Sequence, residues 1–170
     1  MNKLLRAKLL AGVAGFALGS FLIHPFGAVK ARASVDPLLA GADVDPTIVQ
    51  IIERSCQNCH SEKTQWPWYS YVPPASWLVE NDVHNARRHM NLSRWGAYSL
   101  EKKQELLTEL AAAVRSRQMP PARYTLMHSG AKLSQADLMA IYQWARGERR
   151  RLKSVAGAQP AISSDAAPIQ

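Results

Sequence analysis

The sequence has 170 residues, 47% of them apolar, and 21 Lys and Arg against 13 Asp and Glu, a formal charge of +8. The excess is terminal: the first 33 residues hold five basic and no acidic side chains, residues 34–170 carry +3, and residues 43–144 hold 11 basic against 10 acidic groups. A nearly neutral central segment excludes nucleic-acid binding as the main function, because phosphate neutralisation needs a basic face on the folded domain itself, and about a hundred residues bury only one modest core.

Met1 to Lys8 carry three positive charges, Leu9 to Ile23 is an uncharged apolar run, and Ala31-Arg32-Ala33 offers small residues at signal-peptidase spacing. Residues 9–29 make 21 positions without a charged side chain, the length of a membrane-spanning helix. Two readings stand: an inner-membrane anchor that is kept, or a signal peptide cut near Ala33. A buried soluble helix is the bland third. Both favoured readings put the remainder in the periplasm, the positive end staying inside.

Residues 34–44 read as a linker. Asp45 is the expected N-cap and Pro46 the first position of a helix with Ile48, Ile51, Ile52 and Ser55 on one face, running into Cys56. The stretch Trp66 to Pro74 is too rich in proline for helix or central strand. Helices are expected from Ala75 to Met90, with Trp77, Leu78, Val83 and Ala86 as apolar positions, and from Leu100 to Arg117, with Leu106, Leu107, Leu110, Ala111 and Val114. The loop Gln118 to Pro121 ends the latter. Ser134-Gln135-Ala136-Asp137 is a capping box, with Leu133 positioned to staple onto Leu138, and it starts a helix whose inner face is Leu138, Ile141, Tyr142 and Ala145. The basic cluster Arg146, Arg149, Arg150, Arg151 and Lys153 is expected to cap that helix. Residues 154–170 have the composition of a disordered tail. With no β-alternation, the pattern predicts an all-α chain of about four helices with long loops, the domain proper being 45–153 behind a signal or anchor of 1–33.

Cys56-Gln57-Asn58-Cys59-His60 uses both cysteines of the chain, and Cys-x-x-Cys-His reads as a c-type haem attachment site. Two thiols on one helical turn reach both vinyl groups of one haem, and the adjacent imidazole falls under the iron. Export agrees, since bacteria attach haem c outside the cytoplasmic membrane. Three rivals are weaker. A Cys56–Cys59 disulfide closes too small a loop to stabilise much and leaves His60 unexplained. A thioredoxin-like pair needs a βαβ context that is absent. Zinc on both cysteines with two of His60, His84, His89 and His128 lacks a second pair at finger spacing.

The chain resembles the haem-binding-domain proteins of bacterial envelopes, a variant of single-haem cytochrome c. The resemblance rests on Cys56 to Ser61, Thr64, Trp66 to Ser70, Pro73, Ser76 to Leu78, Asp82 to His84, Asn91 to Ser93, Trp95, Met119 to Pro121, Tyr124, His128, Ala131 to Ser134 and Trp144. Ala86 departs from it, standing where Gly is expected. The resemblance implies a cytochrome c-like bundle around one covalently attached haem c. It places a distal Met about sixty residues after the proximal His, which selects Met119; the prolines that follow would hold its thioether, and a His60/Met119 pair raises the potential. It places a proline carbonyl on the proximal imidazole, which selects Pro73. Trp68 and Tyr69, with Trp66, Trp77 and Trp95, are candidate haem-facing aromatics or ordinary core. Arg87, Arg88 and Arg123 are candidate propionate partners. The expected function is electron transfer with redox partner proteins, a carrier rather than an enzyme, touching the membrane through its N-terminal segment and binding no nucleic acid. The alternative is a haem enzyme or gas sensor with an open distal site and His84, His89 or His128 as acid/base groups.

Overall fold

The computed structural model describes residues 2–26 and 37–158. The expected cleavage site at Ala31 to Ala33, the last part of the apolar stretch, the start of the linker and the tail from residue 159 lie outside the described residues. Within them the chain is all-α, without strands. Its seven helices are α1 (Lys3–Ser20), α2 (Pro46–Ser55), α3 (Gln57–His60), α4 (Ala75–His89), α5 (Leu100–Arg115), α6 (Ala122–Met127) and α7 (Gln135–Ala158), joined in part by 3₁₀ turns at Trp68–Tyr71, Leu92–Ala97 and Ser129–Ala131. The expected four-helix bundle is thus corrected to seven helices. Helices α3 and α6 are too short to show periodicity in sequence.

Two compact units divide the chain. The first comprises Met1–Leu38 with Cys56–Arg94, and the second Leu39–Ser55 with Trp95–Gln170. Helix α2 therefore belongs with α5 and α7, although it leads directly into Cys56.

In the second unit, Asp45 Oδ1 accepts from Thr47 N at 2.7 Å. This bond holds the Asp45 carboxyl below its usual range, and α2 buries Ile48, Ile51, Ile52 and Ser55. Ser99 caps α5 by accepting from Lys102 N at 3.2 Å. The buried side of α5 is Leu106, Leu107, Ala111 and Val114. It faces α7, the principal helix pair of this unit, whose buried stripe is Leu138, Ile141, Ala145, Glu148 and Leu152. The capping box forms both ways: Asp137 Oδ2 accepts from Ser134 N at 2.8 Å, and Ser134 Oγ accepts from Asp137 N at 3.1 Å. Helix α7 runs to Ala158 with no basic residue in its last turn. The arginine cluster thus sits within the helix instead of capping it. Arg151 is bidentate on the buried Glu148 at 2.6 Å, and that bond raises its already high pKa further.

In the first unit α3 and the Trp68–Tyr71 turn pack on α4. The buried positions of α4 are Ser76, Glu80 and Val83, whereas Leu78, expected in the apolar face, is exposed. Glu80 is accounted for by His24, whose Nδ1 lies 2.6 Å from its carboxylate, while Trp77 Nε1 donates to the Ile23 carbonyl at 2.8 Å. The expected span over residues 9–29 is not one helix. Helix α1 ends at Ser20 and turns follow through Phe26. No helix among the described residues is long and apolar enough to cross a membrane.

Because Ile141 is 0% exposed, Ile141→Ala is expected to cost about 2–5 kcal/mol through the cavity it leaves, against about 1 kcal/mol for Ser134→Ala, both read from urea unfolding midpoints. Burial works to raise the Asp137 carboxyl, but Ser134 and Arg54 outweigh it and hold it below the usual value. A depressed folded value means that the carboxylate stabilises above the ordinary Asp range and that this is lost as pH falls through the folded value. Asp137→Asn is therefore expected to unfold more readily at neutral pH and to match the wild type in strong acid.

Candidate functional site

The Cys56–His60 segment folds into the single turn its spacing requires. The Cys56 carbonyl accepts from Cys59 N at 3.2 Å and from His60 N at 3.0 Å. A helix of four residues is not stable by itself, and polar side chains wrap it. Ser61 Oγ donates to the Gln57 carbonyl at 2.8 Å and accepts from Lys63 N at 3.0 Å; Thr64 Oγ1 donates to the Asn58 carbonyl at 2.7 Å, and Asn58 Oδ1 accepts from Gln65 N at 3.0 Å. Cys56 and Cys59 are half-buried and are not joined in a disulfide.

His60 Nδ1 lies 3.0 Å from the carbonyl oxygen of Met90, where α4 ends. A carbonyl only accepts, so Nδ1 carries the proton and Nε2 is the nitrogen left for a metal. Burial pushes the imidazole below its usual pKa; the Met90 bond opposes this and the nearby His89 reinforces it. A neutral ring is the form that ligates. The expected role of Pro73 in holding Nδ1 is therefore corrected. The acceptor is the Met90 carbonyl, which comes 30 residues after His60 instead of 13.

Arg87 was a candidate propionate partner, but its guanidinium is turned into the protein. Nε donates to the Ser61 carbonyl at 2.8 Å and Nη2 to Thr64 Oγ1 at 2.8 Å, while Nη1 lies 3.4 Å from Glu62 Oε2. It braces the loop that leaves the cysteine turn.

Two thiols and a neutral, oriented imidazole on one turn are the donor set a covalent haem requires. Trp68 and Tyr69 share this unit, edge to face at 5.9 Å; Trp68 is 76% exposed. Trp95 is core, nearly fully buried and edge to face with Tyr98. Met119 lies in the second unit. After α5 the chain turns back through Arg117, left-handed at φ 56°, with Gln118 N bonded to the Ala113 carbonyl and Arg117 N to that of Val114. This Schellman turn carries Met119, 41% exposed, to the start of the Pro120-Pro121 segment. His84 and His89 are exposed, and His128 stacks on Tyr124 at 4.4 Å. Among the described residues no three His, Cys, Asp or Glu side chains form a group able to hold a metal ion, so the zinc reading has no support. The contributions of Met90 and Glu62 were not anticipated from sequence. Asn91 and Ser93 stand in a matched block, the one signal that pointed to them.

Comparison with known proteins points to haem. The model of the haem-binding domain family matches residues 18–147. A cytochrome c peroxidase of Escherichia coli (strain K12) is 30% identical over 100 residues, which are 57% of this chain and 22% of that protein. The chain thus spans about a fifth of that relative's length. No solved structure matches. The relative is an enzyme by name, and this overturns the expectation of a carrier rather than an enzyme.

Arg87→Ala removes the charge-assisted hydrogen bonds to the Ser61 carbonyl and to Thr64 Oγ1. It is expected to cost about 1.5–3 kcal/mol and to speed backbone exchange across residues 61–65, measured by urea unfolding and by hydrogen-exchange mass spectrometry.

Proposed function

The chain belongs to the haem-binding domain family, and from that premise we propose that Cys56 and Cys59 hold one haem c through thioethers, that His60 is its proximal ligand, and that the protein serves peroxide-linked haem oxidoreduction. The observation that carries the reading is the His60 ring, with Nδ1 engaged by the Met90 carbonyl at 3.0 Å, on the same backbone turn as Cys56 and Cys59. The peroxidase relative supports the reaction class, although the match covers 22% of it.

When bound, the haem supplies the one-electron couple of its iron. The chain's own residues do the rest. Cys56 and Cys59 would hold the macrocycle and His60 its iron; Met90 orients His60, and Arg87 keeps the intervening loop closed. In the proposed reaction hydrogen peroxide loses its O–O bond, two electrons arrive from a redox partner protein, and two protons complete two waters. His84 and His89, exposed on α4 of the same unit, are the candidate proton carriers. Haem attachment of this kind takes place in the bacterial periplasm, and the basic start and apolar stretch of the N-terminal segment fit export there, with retention at the inner membrane.

Protein matured in the periplasm is expected to show a haem c spectrum in both oxidation states, to bind carbon monoxide when reduced, and to consume peroxide with a reduced donor protein; His60→Ala loses the turnover. Exclusion of carbon monoxide by the reduced wild type, or a mature protein without covalent haem, would falsify the reading.

A further inference from the structure

We propose that Glu62 and Asn91 are positioning residues for the proximal ligand: a carboxylate–amide clamp that fixes the Met90 carbonyl on His60 Nδ1 and so sets how strongly His60 donates to a bound iron. The inference rests on the haem reading above and adds residues that this reading does not use.

The clamp follows from where Met90 sits. It is the C-cap of α4, with extended backbone at φ −145° and ψ 119°, so its carbonyl is outside the helical ladder and its direction depends on what holds the next peptide. That peptide is held on both sides. Asn91 Nδ2 donates to Glu62 Oε1 at 2.8 Å, and Asn91 Oδ1 accepts from Ser93 N at 3.1 Å; Ser93 Oγ in turn accepts from Glu62 N at 3.1 Å. Glu62 stands two residues after His60. The bonds therefore close a ring from His60 along the chain to Glu62, across to Asn91 and Ser93, and back through Met90 to the imidazole.

Asn91 and Ser93 are buried, and the Glu62 carboxylate is nearly so, with Arg87 at 3.4 Å and Arg94 at 3.7 Å as countercharges. A buried carboxylate is an expensive way to pack a loop, since well-packed apolar residues do that without desolvating a charge. What the carboxylate adds is direction. It is a fixed acceptor that holds the Asn91 amide in one orientation, and with it the carbonyl one peptide earlier. A well-aligned carbonyl strengthens the Nδ1–H bond, makes the ring a better donor, and favours the ferric state. Loosening the clamp weakens that bond.

The test uses haem-loaded full-length protein and two readouts, the midpoint potential and the exchange rate of the His60 Nδ1–H proton in the reduced state. Asn91→Ala keeps the Glu62 charge and removes the clamp. It is expected to speed Nδ1–H exchange roughly tenfold and to raise the potential. Glu62→Ala is expected to do the same, whereas Glu62→Gln retains an acceptor for Asn91 Nδ2 and keeps the slow exchange. Ser93→Ala, a smaller lesion, is expected to move both readouts in the same direction to a lesser extent, and it serves if Asn91→Ala does not fold. Wild-type potential and exchange in Asn91→Ala and Ser93→Ala, even with reduced stability, would reduce the cluster to scaffolding and overturn the clamp while leaving the haem reading intact. Failure of the wild type to carry covalent haem would remove that reading and the clamp with it.

Discussion

The hydrogen bond between His60 Nδ1 and the Met90 carbonyl is the constraint on which the first unit depends. It ties the end of α4 to the end of the cysteine turn, two segments that no helix or sheet ladder connects. It also settles the imidazole's tautomer. The turn itself is only four residues long, and the side chains that wrap it act on its backbone, whereas the bond to Met90 acts on the ring. A ligand held in this way needs little reorganisation when a metal arrives.

Buried carboxylates are met by basic side chains. Three carboxylates are buried or almost so. Glu62 faces Arg87 and Arg94, Glu80 faces His24, and Glu148 faces Arg151. Each partner is more exposed than the carboxylate it meets, so it keeps part of its hydration while satisfying the acid. Such pairs define geometry more than they add stability. Two of them lie on long helices, Glu80 on α4 and Glu148 on α7, where they recruit chain that is distant in sequence: residue 24 in one case and, through Asp43 N at 3.4 Å from Glu148 Oε1, residue 43 in the other.

How much of this was legible in the sequence depended on whether the determinant was local. Helices α2, α5 and α7 announce themselves through caps and 3.6-residue spacing, and Asp45, Ser134 and Asp137 act as their residue types suggest. The cysteine turn was legible because its chemistry needs three residue types in five positions. The acceptor for His60 was not, because any residue offers a carbonyl and nothing in the identity of Met90 marks it. Distance along the chain hid the role of Arg87 as well: a guanidinium reads as a propionate partner until the Ser61 carbonyl is seen beside it. Hydropathy also says nothing of where a helix stops: α1 ends at Ser20, inside the uncharged stretch that begins at Leu9. The stripe on α4 was misassigned because two of its three buried residues are polar and count against burial on any hydropathy scale.

The contact between His24 and Glu80 bears on where the folded module begins. The Glu80 side chain is 1% exposed, and Ile23 and His24 supply partners to Glu80 and Trp77 from a segment that is usually treated as disposable. A recombinant chain started after Ala33, or a cellular protease acting there, would remove both contributions together and leave a carboxylate facing the interior without its imidazole. A leader and a folded core are commonly regarded as separable parts with a cut site between them. Here the first unit draws partners from its N-terminal segment, so the boundary chosen for trimming also determines how well α4 is supported beneath the cysteine turn.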